Sequence, residues 1–153
     1  MIITHPTVAS FQTSLNARAK EMTYAQFTLV LKRVSMELLE RIVNRTPVDT
    51  GRARGNWRVN YGDPSISFDP NKKDKSGSAT VSEGNGRIMA KEWRNWSGQY
   101  TGDLYISNNT PYIDALNDGH PTHGAFQSHN QGLGFMLART KAFLIAKYSA
   151  AFK

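Results

Sequence analysis

The 153-residue chain has no cysteine, so neither disulfides nor thiolate metal sites hold its fold, and no redox compartment can be inferred. Long apolar runs are missing too. No stretch approaches the roughly 20 apolar residues that a membrane span requires, and Met1–Ser10 has no basic region followed by an apolar one, so the sequence reads as soluble and unexported. Acid is scarce: 12 Asp and Glu stand against 19 Lys and Arg, a formal net charge of +7. That balance favours an acidic neighbour such as nucleic acid without selecting one. There is no Gly-x-Ser-x-Gly elbow and no Walker loop, and Gly132-Leu133-Gly134 lacks the preceding strand that a dinucleotide fingerprint needs. With no repeat of solenoid period either, the expectation is a non-enzymatic chain with no cofactor.

At this length one domain with a modest core is expected. Residues 1–20 are polar and weakly patterned, with Val8, Phe11 and Leu15 as one turn-spaced stripe, and read as an N-terminal arm; residues 21–153 read as a single α+β domain. Helix signals begin at Thr23, whose hydroxyl can cap orphan amides while Gln26 reaches back as the other half of a capping box, with Met22 and Phe27 at staple positions. Phe27, Val30, Leu31, Val34, Leu38, Ile42 and Val43 then recur at three- and four-residue steps, which predicts a long helix packed on a sheet. Pro47 restrains Thr46 to an extended conformation and ends it.

Trp57, Val59 and Tyr61 alternate with Asn56, Arg58 and Asn60, the pattern of a strand with one apolar face. Residues 62–86, with Asp63-Pro64, Asp69-Pro70, Asn71-Lys72-Lys73-Asp74-Lys75 and Ser76-Gly77-Ser78, read as an extended loop and candidate contact element. Ile88, Met89, Trp93 and Trp96 predict a short helix with Arg87, Lys91 and Arg94 exposed and Gly98 as its stop. A strand through Leu104 and Ile106 follows, then a helical turn over Pro111–Leu116 capped by Thr110 with Gly119 beyond it, and a last helix from about Leu133 to Phe152 with a mixed core face. The expected fold is therefore α+β: a small, mostly antiparallel sheet packed by a long N-terminal and a C-terminal helix, with one long flexible loop.

Two segments carry the strongest turn chemistry. In Thr46-Pro47-Val48-Asp49-Thr50-Gly51, Asp49 and Thr50 can hydrogen-bond their own turn and Gly51 can take positive φ; in Ile106-Ser107-Asn108-Asn109-Thr110-Pro111-Tyr112, Asn108 or Asn109 can satisfy backbone groups where the strand stops. Arg52, Arg54 and Arg58 share strand parity and, with Lys72, Lys73 and Lys75, can present a face to DNA phosphates without base readout; the plainer alternative is a solvated edge that discourages strand pairing. Trp57 and Trp93 read as core, and Trp96 and Tyr100 as subunit contacts. Asp103, Asp114 and Asp118 fall in a segment without Lys or Arg, whereas Arg139, Lys141, Lys147 and Lys153 follow without acid, a polarity that suits head-to-tail packing of identical subunits. His120, His123 and His129 beside Asp114 and Asp118 are the one cluster with metal-ligand chemistry, but their Gly-, Pro-, Gln- and Ser-rich surroundings favour loop or interface roles, and no strand-borne carboxylate pair supports a nuclease.

In this order, the elements and their two motifs resemble the small neck or tail-completion proteins of long-tailed bacteriophages. The resemblance lies in a long helix followed by Arg45-Thr46-Pro47-Val48-Asp49-Thr50-Gly51-Arg52-Ala53, then Ile106 through Gly119 and a closing helix; it runs from about Thr23 to the C-terminus, with identity concentrated in the two motifs. Family members often carry Glu two places before the final glycine, where Asn117 stands here and Asp118 supplies acid one step later. The resemblance implies a structural virion subunit forming a ring, a hexamer, around a double-stranded DNA channel, stacked between a head-closure or connector protein and a tail terminator or tail tube protein. It implies a scaffold role for Pro47, Asp49, Thr50, Gly51, Asn108, Asn109, Pro111, Tyr112 and Gly119. The runner-up is a basic DNA-binding accessory protein that forms no ring.

Overall fold

A computed structural model describes residues 9, 12–13, 24–92, 102–118 and 136–149. The chain is α+β: among the described residues, helices accompany a two-stranded antiparallel sheet. Helix α1 is Tyr24–Arg45, one-turn α2 is Arg52–Gly55, β1 is Arg58–Tyr61, α3 is Ser78–Ala90, β2 is Leu104–Ser107, α4 is Ile113–Asp118 and α5 is Leu137–Ser149. In the sheet Arg58 pairs with Ser107, Val59 with Ile106, Asn60 with Tyr105 and Tyr61 with Leu104.

Helix α1 forms because its apolar residues recur at helical spacing, and it buries Leu39, Ile42 and Val43, each contributing about 1.5–3 kcal/mol. It stops at Arg45, two residues before Pro47, and Thr46 N still donates to Ile42 O (3.0 Å) and Val43 O (3.2 Å). The main core joins those α1 residues to Ala53, Trp57, Val59, Ile88, Leu116 and Met136. A smaller cluster seats Leu144 and Tyr148 of α5 against Val30, Val34 and Leu38 of α1. The predicted helix-on-sheet packing is thus mainly helix-on-helix, because α3 and α5 both lie against α1.

Helix α3 corrects the expected 62–86 loop and moves the predicted second helix upstream: only 62–77 lacks regular structure, and the helix begins at Ser78. Its buried positions are Thr80, Gly84 and Ile88, a four-residue repeat with one large apolar member, so hydrophobic periodicity does not reveal it. Gly84 permits the crossing, since a Cβ there would stand 2.2 Å from Leu39 Cδ2 and 3.0 Å from Val59 Cγ2. The helix ends at Ala90, where Lys91 is extended (ψ 127°) instead of continuing it. Helix α4 begins at Ile113 instead of the expected Pro111, after a turn in which Thr110 O accepts Ile113 N at 2.9 Å; the Thr110 hydroxyl, the expected cap, has no partner among the described residues. Thr23, Trp93, Trp96 and residues 133–135 and 150–152, on which parts of the helix expectations rest, lie outside the described residues.

Candidate functional site

The two motifs meet. Gly51 adopts φ +82°, and Thr50 Oγ1 accepts the amide of Arg52 at 3.3 Å, which turns the chain straight into α2. From the other side Asn108, just past β2, donates Nδ2 to Ala53 O within α2 at 2.7 Å and accepts Thr110 N on Oδ1 at 3.0 Å. One amide therefore terminates a strand and satisfies a helix carbonyl 55 residues away. Neighbouring Asn109 donates Nδ2 to Ser65 O.

A third segment locks onto this pair. Gly51 O accepts both Gly55 N (2.9 Å) and Asp74 N (3.0 Å), and the backbones approach so closely that a Cβ on Gly51 would lie 2.6 Å from Lys75 N. Buried Asn56 clamps the same segment, donating to Asp69 O and accepting Asp69 N, both at 2.9 Å, while also donating to Arg52 O. Asp74 then receives Ser76 Oγ and Gly77 N on Oδ1 and Thr80 N and Oγ1 on Oδ2, which satisfies the orphan donors at the start of α3. Burial pushes the Asp74 carboxyl up, but the bonds from Thr80, Ser76 and Gly77 outweigh it and hold the group below the ordinary carboxylate range. Fully buried Thr46 completes the knot: its hydroxyl donates to Ile42 O and accepts the Trp57 indole N–H, both at 2.7 Å.

The basic residues do not form the expected face. Arg52 and Arg54 are on α2, not on a strand, because the chain makes a helical turn immediately after Gly51; only Arg58 is on β1. Arg54 turns inward, donating Nη1 to Lys75 O (2.7 Å) and Nη2 to Asn44 O (3.1 Å) and Thr46 O (2.9 Å), so it caps α1 and fastens the 72–77 segment. Burial lowers its pKa, against the opposing pull of Asp74. Lys72 pairs with Glu83 at 2.7 Å, leaving Lys73 and Lys75 as the exposed cations of that run. Pro47 is half-buried, Asp49 and Pro111 are exposed, and Tyr112 packs on the core. Asp114 and Asp118 are exposed on α4, where Asp118 accepts the Asn117 side-chain amide. Gly119, Trp96, Tyr100, His120, His123 and His129 lie outside the described residues. Among the described residues no group of three His, Cys, Asp or Glu is placed to hold a metal, and no helix is long and apolar enough to cross a membrane.

Sequence reasoning assigned no role to Thr46, Asn56, Glu37 and Asp74. Asp74 had a readable signal, a carboxylate just upstream of Ser76-Gly77-Ser78; the others are ordinary polar residues whose partners are distant in sequence. Glu37 joins α1 to α5, receiving Lys147 Nζ (2.6 Å), Tyr148 Oη (2.7 Å) and Arg41 Nε (3.1 Å). Burial raises its carboxyl, and those three donors more than reverse it, to about 2; burial and the bond to Glu37 push Tyr148 up to about 12. Arg45 bonds Thr140 Oγ1 on α5 at 3.2 Å, and burial, with Arg41 and Arg139 nearby, lowers its pKa. The side chains of Arg54, Asn56, Asn108 and Glu37 thus fasten separate segments to one another. Comparison with protein-family models, curated proteins and solved structures gives no match.

Proposed function

We propose that the chain is a structural protein of the head–tail joint of a long-tailed bacteriophage, a subunit of a homohexameric ring around the DNA channel in the virion neck. Its neighbours are a head-closure or connector protein on one side and a tail terminator or tail tube protein on the other, with double-stranded DNA passing non-specifically through the channel. It catalyses no reaction and needs no cofactor. The observation that carries this reading is the Asn108–Ala53 bond: the two segments on which the resemblance rests are mutually dependent parts of one scaffold. The side chains of Thr50, Asn108 and Asn109 are spent on backbone carbonyls and amides, which is what a rigid joint requires.

The DNA-binding accessory reading keeps the exposed cations Lys73 and Lys75, but Arg54 and Lys72 are engaged internally. Native mass spectrometry of the full chain, alone and with tail and connector proteins, separates the two. A defined ring with weak affinity for free DNA supports the joint; a monomer or dimer whose DNA affinity falls steeply with salt supports the accessory.

A further inference from the structure

Ile66 is 92% exposed, yet the segment that carries it is fastened on both sides. Before it, Ser65 O accepts Ser107 Oγ (3.4 Å) and Asn109 Nδ2; after it, Ser67 N donates to Ser65 Oγ (3.2 Å) and Asp69 N to Asn56 Oδ1 (2.9 Å). A large aliphatic side chain is thereby held out in water by a bonded frame. The same molecule carries a cleft of about 340 Å³ lined by Val34 and Leu38 of α1, Leu104 and Ile106 of β2, and Leu137 and Leu144 of α5. Successive strand residues face opposite sides of a sheet, so Leu104 and Ile106 mark one side of β2 and Tyr105 and Ser107 the other. Knob and cleft are therefore associated with opposite faces of the sheet.

We propose that Ile66 of one copy seats in this cleft on a second copy of the chain. The inference rests on the ring reading and names the surfaces that would build it. Charge agrees with the fit: Asp63 stands three residues before Ile66, Lys141 lines the cleft, both are exposed, and neither has an ion-pair partner among the described residues. A patch that fits a pocket elsewhere on the same molecule makes a head-to-tail contact, which closes into a ring when the rotation permits. One knob is smaller than a stable interface needs, so the contact is weak in the free chain and strengthens when a neighbouring ring aligns the copies.

The absence of cysteine allows a direct test on the 153-residue chain. Ile66→Cys and Leu137→Cys chains, each with a different tag, are mixed and oxidised; disulfide between Ile66→Cys and Leu137→Cys in excess of either homodimer is expected. In sedimentation, Ile66→Asp should weaken self-association roughly 10- to 100-fold, as loss of one buried isoleucine implies. Circular dichroism checks that the exposed substitution leaves the fold intact. Asp63→Lys should weaken association, and Lys141→Asp in the same chain should restore it. Homodimer cross-links at random proportions, or unchanged association of Ile66→Asp, overturn this contact while leaving the ring reading standing. A wild-type chain that stays monomeric at every concentration and on its tail partner overturns both.

Discussion

Gly51 and Gly62 form a matched pair for measuring how tightly the 72–77 segment is held. Both are left-handed, at φ +82° and +80°, so alanine at either position carries the same backbone strain, about 1 kcal/mol. Their surroundings differ. Around Gly62 a Cβ would meet nothing within 4 Å, whereas at Gly51 it would stand 2.6 Å from Lys75 N and 2.8 Å from Asp74 C. Those are backbone atoms fixed by Asp74 N on Gly51 O and by Arg54 on Lys75 O, so relief requires moving the whole segment. Gly62→Ala should therefore cost about 1 kcal/mol, and Gly51→Ala about 3 kcal/mol or more, adding the collision and the displaced hydrogen bonds. Urea unfolding followed by tryptophan emission, with buried Trp57 as an internal reporter, gives both numbers from midpoints at constant slope. Equal losses for the two variants would show that the segment does not press on the turn, and the account of the interlocked motifs would fall.

Thr46→Val keeps shape but removes the acceptor of the buried Trp57 N–H, so a loss of about 1–3 kcal/mol is expected; pairing it with Trp57→Phe should give less than the sum of the two, and strict additivity would refute the bond. Asn108→Asp retains the acceptor for Thr110 N but removes the donor to Ala53 O, for a loss of about 1–3 kcal/mol in the same urea assay; a neutral result would deny that the motifs hold one another. Glu37 has a depressed folded pKa, from 4.5 to about 2, so its contribution is present above about pH 4.5 and is lost as the pH falls through about 2. Because Lys147 is 42% exposed, screening reduces that contribution to on the order of 1–2 kcal/mol; acid titration of wild type against Glu37→Gln should show it, and parallel curves would contradict it. Gly84→Ala gains helix propensity of about 1 kcal/mol but overpacks Leu39 Cδ2, so a net loss of up to about 2 kcal/mol is expected in thermal melts.

Local chemistry was legible wherever its cause is local. The stripe through Val34, Leu38 and Ile42 gave α1, and Pro47 explained why it stops just upstream, because spacing and the proline ring act within a few positions. The alternation around Val59 gave β1, and positive φ at Gly51 followed from its turn. The helix Ser78–Ala90 was not legible, since a helix that crosses another closely buries Thr80 and Gly84 where a periodicity search expects large apolar side chains. The basic strand face failed for a related reason: parity assumes extended backbone, and the chain coils for one turn at Arg52–Gly55.

What the sequence determined by itself was the composition of the parts: an α+β chain without cysteine, a long first helix, two turn motifs and an excess of positive charge. What only tertiary structure decided was the use of its polar residues. Asn56, Asn108, Arg54 and Glu37 look like solvated positions in the sequence, and become joints because folding brings a backbone group or an opposite charge to each from 8 to 110 residues away. Hydrogen bonds and ion pairs are short-ranged and directional, so their partners are fixed by three-dimensional proximity, which no local pattern of residues encodes.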